Sequence, residues 1–587
     1  MRPEGRTDPG DYTALLTTLS EGTLRILLIA SAFNSLTQRV HTELRERGHH
    51  VGVELALGDE PVRAGVARFR PDLILAPMLT RAIPEDIWSR HTVLIVHPGP
   101  KGDRGPSSLD WAIHEGASEW GVTVLQAVAE MDAGPIWASV PYPVPPCGKS
   151  ELYRNEVADA ALEAVLLAVD RFESGWPAPE PLDYGRWDVQ GRLRPYHKQE
   201  FRRIDWAADD TATVLRKLRS ADSQPGVLDE LYGREFFLHG GHAEDELRGV
   251  PGSVIATRDG AICRATVDGA VWIPQLRPRR APDGPATYKL PAVQALGDLV
   301  ADVPHSPISP VAAAWRKDTW SQIRYREEGR VGYLEFTFPG GAMSTGQCRR
   351  LLAAYREAVE RPTSVLVLGP ARDFFSNGIH LNVIEAAADP AEESWQNINA
   401  MDDLVEAILT TEDKLTVASL AGNAAAGGLM LAIAADEVWC RESAVLNPHY
   451  RLMGLHGSEY WTYTLPRRVG PEWAARLTTA ALPVGARQAR LLGLVDRTKS
   501  GSAAEFRSWT VRRAEALAAA PGLAARLLEK KRRRAEDEAA KPLAAYREEE
   551  LAEMRRNFRG PGEPYHALRR AFVHKVCPAA TPEHLRG

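Results

Sequence analysis

Cysteine is scarce in this sequence of 587 residues. The five cysteines are spread along the chain, with no two close together: Cys147, Cys263, Cys348, Cys440 and Cys577. This scattering argues against a disulfide framework and against the paired spacing of a structural zinc site. It suits a reducing compartment, so the sequence predicts a cytoplasmic protein without a metal centre.

Long hydrophobic runs and an excess of basic charge are missing as well. No apolar stretch is long enough to span a bilayer. The N-terminal segment MRPEGRTDPGDYTALL carries acidic residues and no apolar core, so it is not predicted to be a secretory signal. With 71 basic and 77 acidic side chains the formal net charge is -6. We therefore expect neither a nucleic-acid partner nor a membrane surface.

A chain of this length is expected to form several domains. Strand-like runs alternate with helical runs at first, short strands with tight turns follow, and a Pro- and Arg-rich stretch leads into a second alternating region. This pattern predicts a multidomain α/β protein. The predicted parts are a parallel α/β domain at 1–200, a small β-barrel domain at 201–280, a linker at 281–320, and an α/β domain with terminal helices at 321–587.

The first candidate site follows the predicted strand Thr92–Val96. Ligands of parallel α/β sheets bind beyond the carboxyl ends of the strands, where His97 falls. A loop rich in Gly and Pro comes next, and the turn Met131–Ile136 would return Asp132 to the same edge. A single His after a strand is more often structural than catalytic, so this pattern alone leaves both roles open.

The surroundings of His97 resemble the 10-formyltetrahydrofolate-dependent formyltransferases. Within residues 24–190 the matching motifs are His97-Pro98, Gly105, Trp111-Ala-Ile113, Gly121-Val-Thr123 and Met131-Asp-Ala-Gly-Pro-Ile136. The resemblance implies 10-formyltetrahydrofolate as the one-carbon donor, and His97 and Asp132 as two members of a catalytic Asn-His-Asp trio. The position of the Asn is occupied by Ile95.

Ile95 bears on the nature of the acceptor. Attack on a formyl carbon creates an oxyanion that His97 can stabilise, with Asp132 orienting the imidazole. The loss of one further hydrogen-bond donor at such a site typically costs about 3 kcal/mol. An amine acceptor must also lose a proton, whereas a thiolate has none to lose. Ile95 is therefore compatible with a thiol acceptor such as coenzyme A (CoA).

Residues 201–280 resemble the OB-like C-terminal domain of methionyl-tRNA formyltransferase. The shared features are Ile204-Asp-Trp206, a short helix, the turn Gln224-Pro-Gly226 and several short strands. In that family the domain helps to hold tRNA. Here acidic residues are mixed among the arginines and no basic stripe forms, which favours a domain that only packs its neighbours together.

The second candidate site is a strand-to-helix turn. The apolar strand Leu415–Leu420 runs into small residues, and Gly427 and Gly428 then begin an apolar helix. Backbone N–H groups at the start of a helix are free to bind a developing oxyanion. A tightly packed turn without catalytic function would give the same pattern.

This region resembles the crotonase (enoyl-CoA hydratase/isomerase) family over roughly residues 321–520. The motif Phe374–Leu381 precedes the glycine turn in the order typical of that family. The resemblance implies a crotonase fold and a CoA thioester ligand. It also implies an oxyanion hole formed by the N–H groups of Ile379 and Gly427, with Gly378 and Gly428 beside them.

Three positions depart from the crotonase pattern. Met430 and His449 stand where hydratases carry their catalytic Glu residues, and His380 replaces the Asp that follows the first oxyanion residue. A thioether cannot transfer protons. The sequence therefore predicts an acyl-CoA site that does not add water.

Polar and aromatic residues cluster downstream of the glycine turn. His449, Tyr450, Glu459 and Tyr463 are all candidates to reach a thioester, and a carboxylate in apolar surroundings has a raised pKa. We predict Glu459 as the base and Tyr450 as a residue that positions the group or relays the proton, with the choice of base left open among Glu459, Tyr450 and His449. The structural alternative is that Glu459 caps the following helix or pairs with Arg467 or Arg468.

The chain as a whole resembles the hydrogenase maturation factors in which these two units are fused. The resemblance implies formyl transfer from 10-formyltetrahydrofolate to CoA, decarbonylation of formyl-CoA to CO and CoA, and hydrogenase iron-site maturation proteins as partners. Three alternatives remain. They are a methionyl-tRNA or other amine formyltransferase with a non-catalytic crotonase domain, an acyl-CoA hydratase or isomerase, and a non-enzymatic scaffold that delivers a one-carbon unit.

Overall fold

The structure is a computed structural model that describes residues 23–175, 178–316 and 318–587. The N-terminal segment MRPEGRTDPGDYTALL, and with it the prediction that it is not a secretory signal, lies outside these residues.

The first unit is built on a six-stranded sheet in the order β2-β1-β3-β4-β5-β6. Its strands are β1 (Arg25–Ala30), β2 (His50–Leu55), β3 (Leu73–Ala76), β4 (Val93–His97), β5 (Glu119–Gln126) and β6 (Ile136–Pro143). Its helices are α1 (Ser35–Glu46), α2 (Asp59–Phe69), α3 (Glu85–Trp88), α4 (Ser108–His114), α5 (Lys149–Leu152) and α6 (Ala158–Ser174).

Strand direction in this sheet is mixed. Strands β1 to β4 pair in parallel, as predicted, whereas β5 pairs antiparallel with β4, and β6 antiparallel with β5. A parallel pair of β5 and β6 would need a crossover connection, usually a helix, but the turn 127–135 that joins them contains no helix. Helices α1 and α6 cover one face through Leu36 and Val165, and α2 covers the other through Val62 and Val66.

The second unit contains two four-stranded sheets of short strands, β10-β11-β12-β9 and β14-β13-β8-β7, as the sequence predicted for a small β domain. Its strands are β7 (Val227–Leu231), β8 (Arg234–His239), β9 (His242–Glu244), β10 (Val254–Arg258), β11 (Ala261–Ala265), β12 (Ala270–Ile273), β13 (Gln275–Pro278) and β14 (Leu290–Pro291). Its helices are α7 (Gln199–Arg202), α8 (Thr211–Ala221), α9 (Ala292–Leu296) and α10 (Pro310–Trp315).

Part of the segment 281–320, expected to be a linker, adds to this small unit. Strand β14 pairs with β13, and helix α9 follows it directly. Leu296 and Val300 are buried in the same core as Leu238 and Val271. The apolar residues of the segment therefore complete the small core, although its Pro and Arg content is typical of an irregular connector.

The third unit has a six-stranded sheet, β15-β16-β17-β18-β20-β23, and a three-stranded sheet, β19-β21-β22. Its strands are β15 (Ile323–Glu328), β16 (Val331–Phe336), β17 (Val365–Leu368), β18 (Leu415–Leu420), β19 (Ala424–Ala425), β20 (Glu437–Arg441), β21 (Val445–Asn447), β22 (Val484–Gly485) and β23 (Arg497–Lys499). Its helices are α11 (Thr345–Val359), α12 (Leu381–Glu385), α13 (Pro390–Leu409), α14 (Gly427–Ile433), α15 (Trp461–Val469), α16 (Pro471–Ala480), α17 (Ala486–Leu492), α18 (Ala503–Ala518), α19 (Leu523–Ala540), α20 (Leu543–Arg559) and α21 (Tyr565–Val573).

Helix α14 lies in the centre of this unit. All seven of its residues are buried, which explains why it is apolar on every side. Strand β18 leads into it through β19, so the first residue of α14 lies beyond the carboxyl end of a central strand.

Ion pairs join the first and third units. Arg154 donates two hydrogen bonds to Asp373, at 2.8 and 2.7 Å, and Arg372 pairs with Glu156 at 2.7 Å. These side chains are largely shielded from water, so breaking one pair would leave an uncompensated charge. These ion pairs join the unit that carries the first candidate site to the unit that carries the second.

Candidate active sites

His97 ends strand β4 at the predicted edge of the first sheet. The side chain is buried; its Nε2 lies 2.9 Å from Oδ2 of Asp103, and its Nδ1 lies 3.7 Å from Oδ2 of Asp132. Two carboxylates therefore flank the imidazole on opposite sides and fix the orientation of the ring.

Each of these carboxylates is itself held in place. Asp132 has a left-handed backbone with φ of 56°, and its Oδ2 accepts a hydrogen bond from the N–H of Gly105 at 3.3 Å. Asp103 is fully buried and forms an ion pair with Arg194. Asp adopts this left-handed conformation more readily than most residues other than glycine, and residues with such backbone angles are common at active sites.

A cavity of about 610 Å³ opens beside His97 and Asp132. Ile95 lines it together with Val96 and His97, at the carboxyl end of β4. Most of the remaining wall is apolar and includes Met78, Ile83, Trp88, Leu125 and Tyr153. A cavity of this size and character suits an organic ligand such as a folate.

Sequence analysis missed Asp103 and Arg194. Asp103 lies in the Gly- and Pro-rich loop directly after His97, and an acidic residue in such a loop was a usable signal. Arg194 is 91 residues away along the chain, and no spacing rule connects the two. The sequence therefore indicated one carboxylate beside His97, whereas the structure places two there.

The second site contains two neighbouring backbone turns with free donors. Within the described residues, neither the N–H of Ile379 nor that of Gly427 donates a hydrogen bond. Gly378 has φ of +78°, and a Cβ built on it would come within 3.2 Å of the nitrogen of Gly427. The two turns thus lie side by side, each with a free N–H group, as an oxyanion hole requires.

Glu459 lies against this oxyanion turn. A Cβ built on Gly427 would come within 1.9 Å of its Oε1. Its Oε2 accepts hydrogen bonds from the Tyr450 hydroxyl at 2.6 Å and from the N–H of Ser458 at 3.0 Å. One carboxylate oxygen is therefore held by donors, and the other contacts the oxyanion turn.

The surroundings of Glu459 and Tyr450 raise the pKa of both side chains. Burial raises the pKa of Glu459 from 4.5 to about 7; the hydrogen bonds from Tyr450 and Ser458 oppose the rise, and the charge of Glu550 adds to it. Burial also raises the pKa of Tyr450 well above its ordinary value, so its hydroxyl remains a donor. A carboxylate with a pKa near neutrality can both take and return a proton.

Three other predicted residues have different surroundings. Nδ1 of His449 lies 2.9 Å from the carbonyl oxygen of Asn447, burial lowers the pKa of the ring, and no hydrogen bond joins it to Glu459 within the described residues. A Cβ on Gly428 would come within 2.1 Å of the Ser376 carbonyl oxygen, so this glycine permits close packing of the turn. Met430 is completely buried in α14.

Among the described residues, Glu459 forms no ion pair with Arg467 or Arg468. Arg467 pairs with Asp537 at 3.3 Å, and Arg468 pairs with Asp496 at 3.0 Å. Instead, the structure brings Glu459 together with two buried acids that sequence analysis missed, Asp402 from α13 and Glu550 from α20. Both lie in strongly helical stretches whose other charged side chains are at least partly exposed, so no local pattern singles them out.

Two further features concern metals and membranes. Among the described residues, no group of three or more His, Cys, Asp or Glu side chains is arranged to hold a metal ion. In the same part of the chain, no helix combines the length and the apolar character needed to cross a bilayer.

Comparison with known proteins agrees with this architecture. Three families match the chain: formyl transferase over residues 54–169, the formyl transferase C-terminal domain over 197–286, and enoyl-CoA hydratase/isomerase over 330–558. The methionyl-tRNA formyltransferase of Roseiflexus castenholzii is 26% identical over 38% of this chain and 71% of its own length.

Two relatives match over almost the full length. The hydrogenase maturation factor HoxX of Bradyrhizobium diazoefficiens is 52% identical over 96% of this chain and 97% of its own. The crystal structure of HypX from Aquifex aeolicus in complex with tetrahydrofolic acid has a TM-score of 0.91 and 43% identity, covering 96% of this chain and 98% of that one.

The fold and the two sites define a formyltransferase fused to a crotonase-like unit. More particularly, the chain belongs to the HypX (HoxX) family of hydrogenase maturation factors. The resemblances inferred from the sequence motifs are confirmed.

Proposed function

We propose that the chain produces carbon monoxide from 10-formyltetrahydrofolate in two steps, with CoA as the carrier of the formyl group. The observation that carries this proposal is the contact between the Glu459 carboxylate and the oxyanion turn at Gly427. In this crotonase unit Glu459 is the proposed base beside the thioester, while Met430 stands where hydratases carry a catalytic Glu. Such a site can remove a proton from a bound acyl group and cannot supply the usual acid for adding water.

The first step belongs to the formyltransferase unit. The CoA sulfur attacks the formyl carbon, the bond from that carbon to N10 of the folate breaks, and N10 gains a proton. His97 is placed to stabilise the oxyanion and to deliver this proton, and Asp103 and Asp132 hold its ring. The cavity of about 610 Å³ beside His97 supports folate binding, and the Aquifex relative was crystallised with tetrahydrofolic acid.

The side chain of Ile95 supports a thiol as the acceptor. It lines the cavity two residues before His97, and its apolar surface can neither accept a proton from an attacking amine nor donate to the oxyanion. A thiol attacks as the thiolate, which has already lost its proton. The site therefore lacks the Asn side chain of the family's catalytic trio, which is compatible with a thiol acceptor.

The second step belongs to the crotonase unit. With the formyl oxygen of formyl-CoA near the N–H groups of Ile379 and Gly427, Glu459 removes the formyl hydrogen as a proton. The electrons of the C–H bond remain on carbon, the C–S bond breaks with its electrons on sulfur, and the sulfur then takes up a proton. Tyr450 holds the Glu459 carboxylate in place and is positioned to pass the proton on. The products are CO and CoA.

A hydrogenase maturation factor that makes CO would supply the CO ligand of the iron in a [NiFe]-hydrogenase. Partner proteins of the iron-site maturation machinery would receive it. The near-complete coverage by the HoxX relative supports this assignment.

The test is to mix the purified chain with CoA and 10-formyltetrahydrofolate and to trap the gas with haemoglobin. We expect CO only when both compounds are present. The Glu459→Gln variant should form tetrahydrofolate and formyl-CoA but no CO, and Glu529→Gln, an exposed change in the same unit, should behave as the wild type. Tetrahydrofolate formed only with an amine or a tRNA acceptor, or hydration of crotonyl-CoA, would contradict the proposal.

A further inference from the structure

Two carboxyl groups lie buried behind Glu459. Asp402 belongs to helix α13 and Glu550 to helix α20; their exposed fractions are 0% and 1%. A buried carboxyl group destabilises the fold unless hydrogen-bond donors satisfy it. The groups that donate hydrogen bonds to these two acids therefore show which part of the chain the acids fix in place.

Both acids bind the backbone that carries Glu459. Asp402 Oδ1 accepts from the N–H of Glu459 at 2.8 Å, and Glu550 accepts from the N–H groups of Tyr460 and Thr462 at 2.9 and 2.8 Å. Glu459 and Tyr460 have φ values of +61° and +56°, a left-handed conformation that is unfavourable for non-glycine residues. Two helices thus hold an unfavourable turn that directs the Glu459 side chain at the oxyanion hole.

The hydroxyl of Ser458 connects the two acids. Its Oγ lies 3.0 and 2.9 Å from the two carboxyl oxygens of Asp402 and 3.3 Å from Oε2 of Glu550. The hydroxyl has one hydrogen, so it can donate to only one of these acids.

The other donors around each acid indicate which of the two receives the hydrogen bond from Ser458. Glu550 also accepts from the Thr462 hydroxyl, whereas Asp402 has one further donor, the N–H of Glu459. The nearest cation to Asp402, Nε of Arg547, is 3.9 Å away. Every group is satisfied when Asp402 carries a proton and donates it to Ser458, and Ser458 donates to Glu550.

We propose that Asp402, as a neutral carboxylic acid, and Glu550, as a carboxylate, are positioning residues that fix the turn of Glu459 and set its proton affinity. This inference rests on the proposed function, in which Glu459 is the base, and adds the residues that control that base.

The electrostatics of the cluster agree with this division. Burial, followed by the charges of Glu459 and Glu550, raises the pKa of Asp402 well above its ordinary value. Burial raises the pKa of Glu550 as well, to about 7, so Glu550 carries its charge above that pH, and this charge contributes to the raised pKa of Glu459. Like charges at close range disfavour ionisation of both, so one member of such a group retains its proton.

Other titratable groups also face Glu459 and Asp402, among them Tyr460, whose pKa burial raises well above its ordinary value. Tyr450 lies on the turn before Glu459, Cys348 on α11, and Arg547 on α20. Burial raises the pKa of Tyr450 and that of Cys348, so both stay neutral. Arg547 is already paired with Asp403 at 2.6 Å and cannot neutralise the whole cluster.

Substitutions at Asp402 test the position of the proton. Asn has the shape of the neutral acid, so Asp402→Asn should retain kcat for CO release within about twofold and leave the acid limb of its pH profile unchanged. Asp402→Ala removes the carboxyl group that fixes the turn of Glu459, so kcat should fall about 100-fold with little change in KM. The control is Glu529→Gln, an exposed change in the same unit that does not touch the acid cluster. Formyl-CoA is supplied directly, so that the first site does not limit the rate.

A substitution at Glu550 tests the charge. Glu550→Gln removes the negative charge behind Glu459, so the acid limb of CO release should move to lower pH by about one unit, with a lower kcat. A purely structural role would lower kcat and leave the pH profile in place. An unchanged profile in Glu550→Gln, or an equal downward shift in Asp402→Asn, would overturn the inference.

An infrared measurement separates this inference from the proposed function. A protonated, buried Asp402 gives a carboxylic-acid C=O stretch that shifts in D₂O and is absent from Asp402→Asn. This band is expected even in a protein that releases no CO, and its absence from the wild type would refute the neutral acid. If the wild type releases no CO from formyl-CoA, the proposed function fails, and the band still decides the protonation of Asp402.

Discussion

Nε2 of His97 lies 2.9 Å from Oδ2 of Asp103, closer than Nδ1 of the same ring lies to Oδ2 of Asp132, at 3.7 Å. The imidazole therefore has a strong hydrogen bond to a buried, arginine-paired carboxylate and a longer contact to the carboxylate that lines the cavity. Asp103 holds the imidazole ring, and Asp132 lies nearer to the cavity.

This difference predicts unequal effects of two substitutions. Asp103→Asn can present an amide N–H to Nε2 and change the tautomer of His97, so tetrahydrofolate formation should fall by about 10³- to 10⁴-fold. Asp132→Asn should cost about 10²-fold, because the longer contact orients the ring less strictly. The measurement is the rate of CoA-dependent tetrahydrofolate formation. Glu60→Gln, a change at an exposed residue of α2 that does not line the cavity, is the control.

A change at Ile95 tests the choice of acceptor. Ile95→Asn introduces a donor and acceptor two residues before His97 on the face of β4 that lines the cavity. We expect the variant to transfer formyl groups to amines, which the wild type should not do, and to lose part of its preference for CoA. The products are followed with CoA and with a set of amines. An unchanged rate with CoA and no amine product would show that Ile95 has no part in acceptor choice.

The contact at Gly427 predicts a separation of the two activities. In Gly427→Ala the new methyl group would lie 1.9 Å from Oε1 of Glu459, so the carboxylate must move off the oxyanion turn. CO release should fall by at least about 10²-fold, while tetrahydrofolate formation in the first unit stays normal. Gly346→Ala, where the nearest atom is 3.6 Å away, is the matched control. Equal losses in both activities would point to general unfolding instead.

Much of the fold could be predicted from local patterns. The alternation of strands and helices identified β1 to β4 and the site at His97, and the glycine turn located the start of α14. The reversed direction of β5 and β6 could not be predicted in this way, because a buried strand has the same composition in either direction.

The candidate sites were predictable where their residues are neighbours in sequence. Tyr450 and Glu459 lie nine residues apart, and their hydrogen bond forms within one segment. Asp402 and Glu550 reach the same turn from 57 and 90 residues away, on two different helices. Only tertiary packing brings such residues together, and a single buried acid on a charged helix carries no local signature.

Loss of the Glu459 proton should raise the rate of CO release and lower the stability of the fold. The folded-state pKa of about 7 exceeds the unfolded value of 4.5, so folding binds a proton and its stabilising contribution is lost as the pH rises through about 7. The free base is needed for CO release, and the rate should therefore rise over the same range. Glu459→Gln should release no CO, yet above pH 7 it should be more stable than the wild type by about 2 to 3 kcal/mol.

Denaturant unfolding at several pH values, run beside the CO assay, measures both effects. Below the unfolded pKa the two proteins should have similar stability, because the wild-type carboxyl is then neutral in both states. The Gln carbonyl can still accept from Tyr450, so the comparison isolates the charge. A stability difference that does not vary with pH would mean that Glu459 does not titrate in this range, and would remove it as the base.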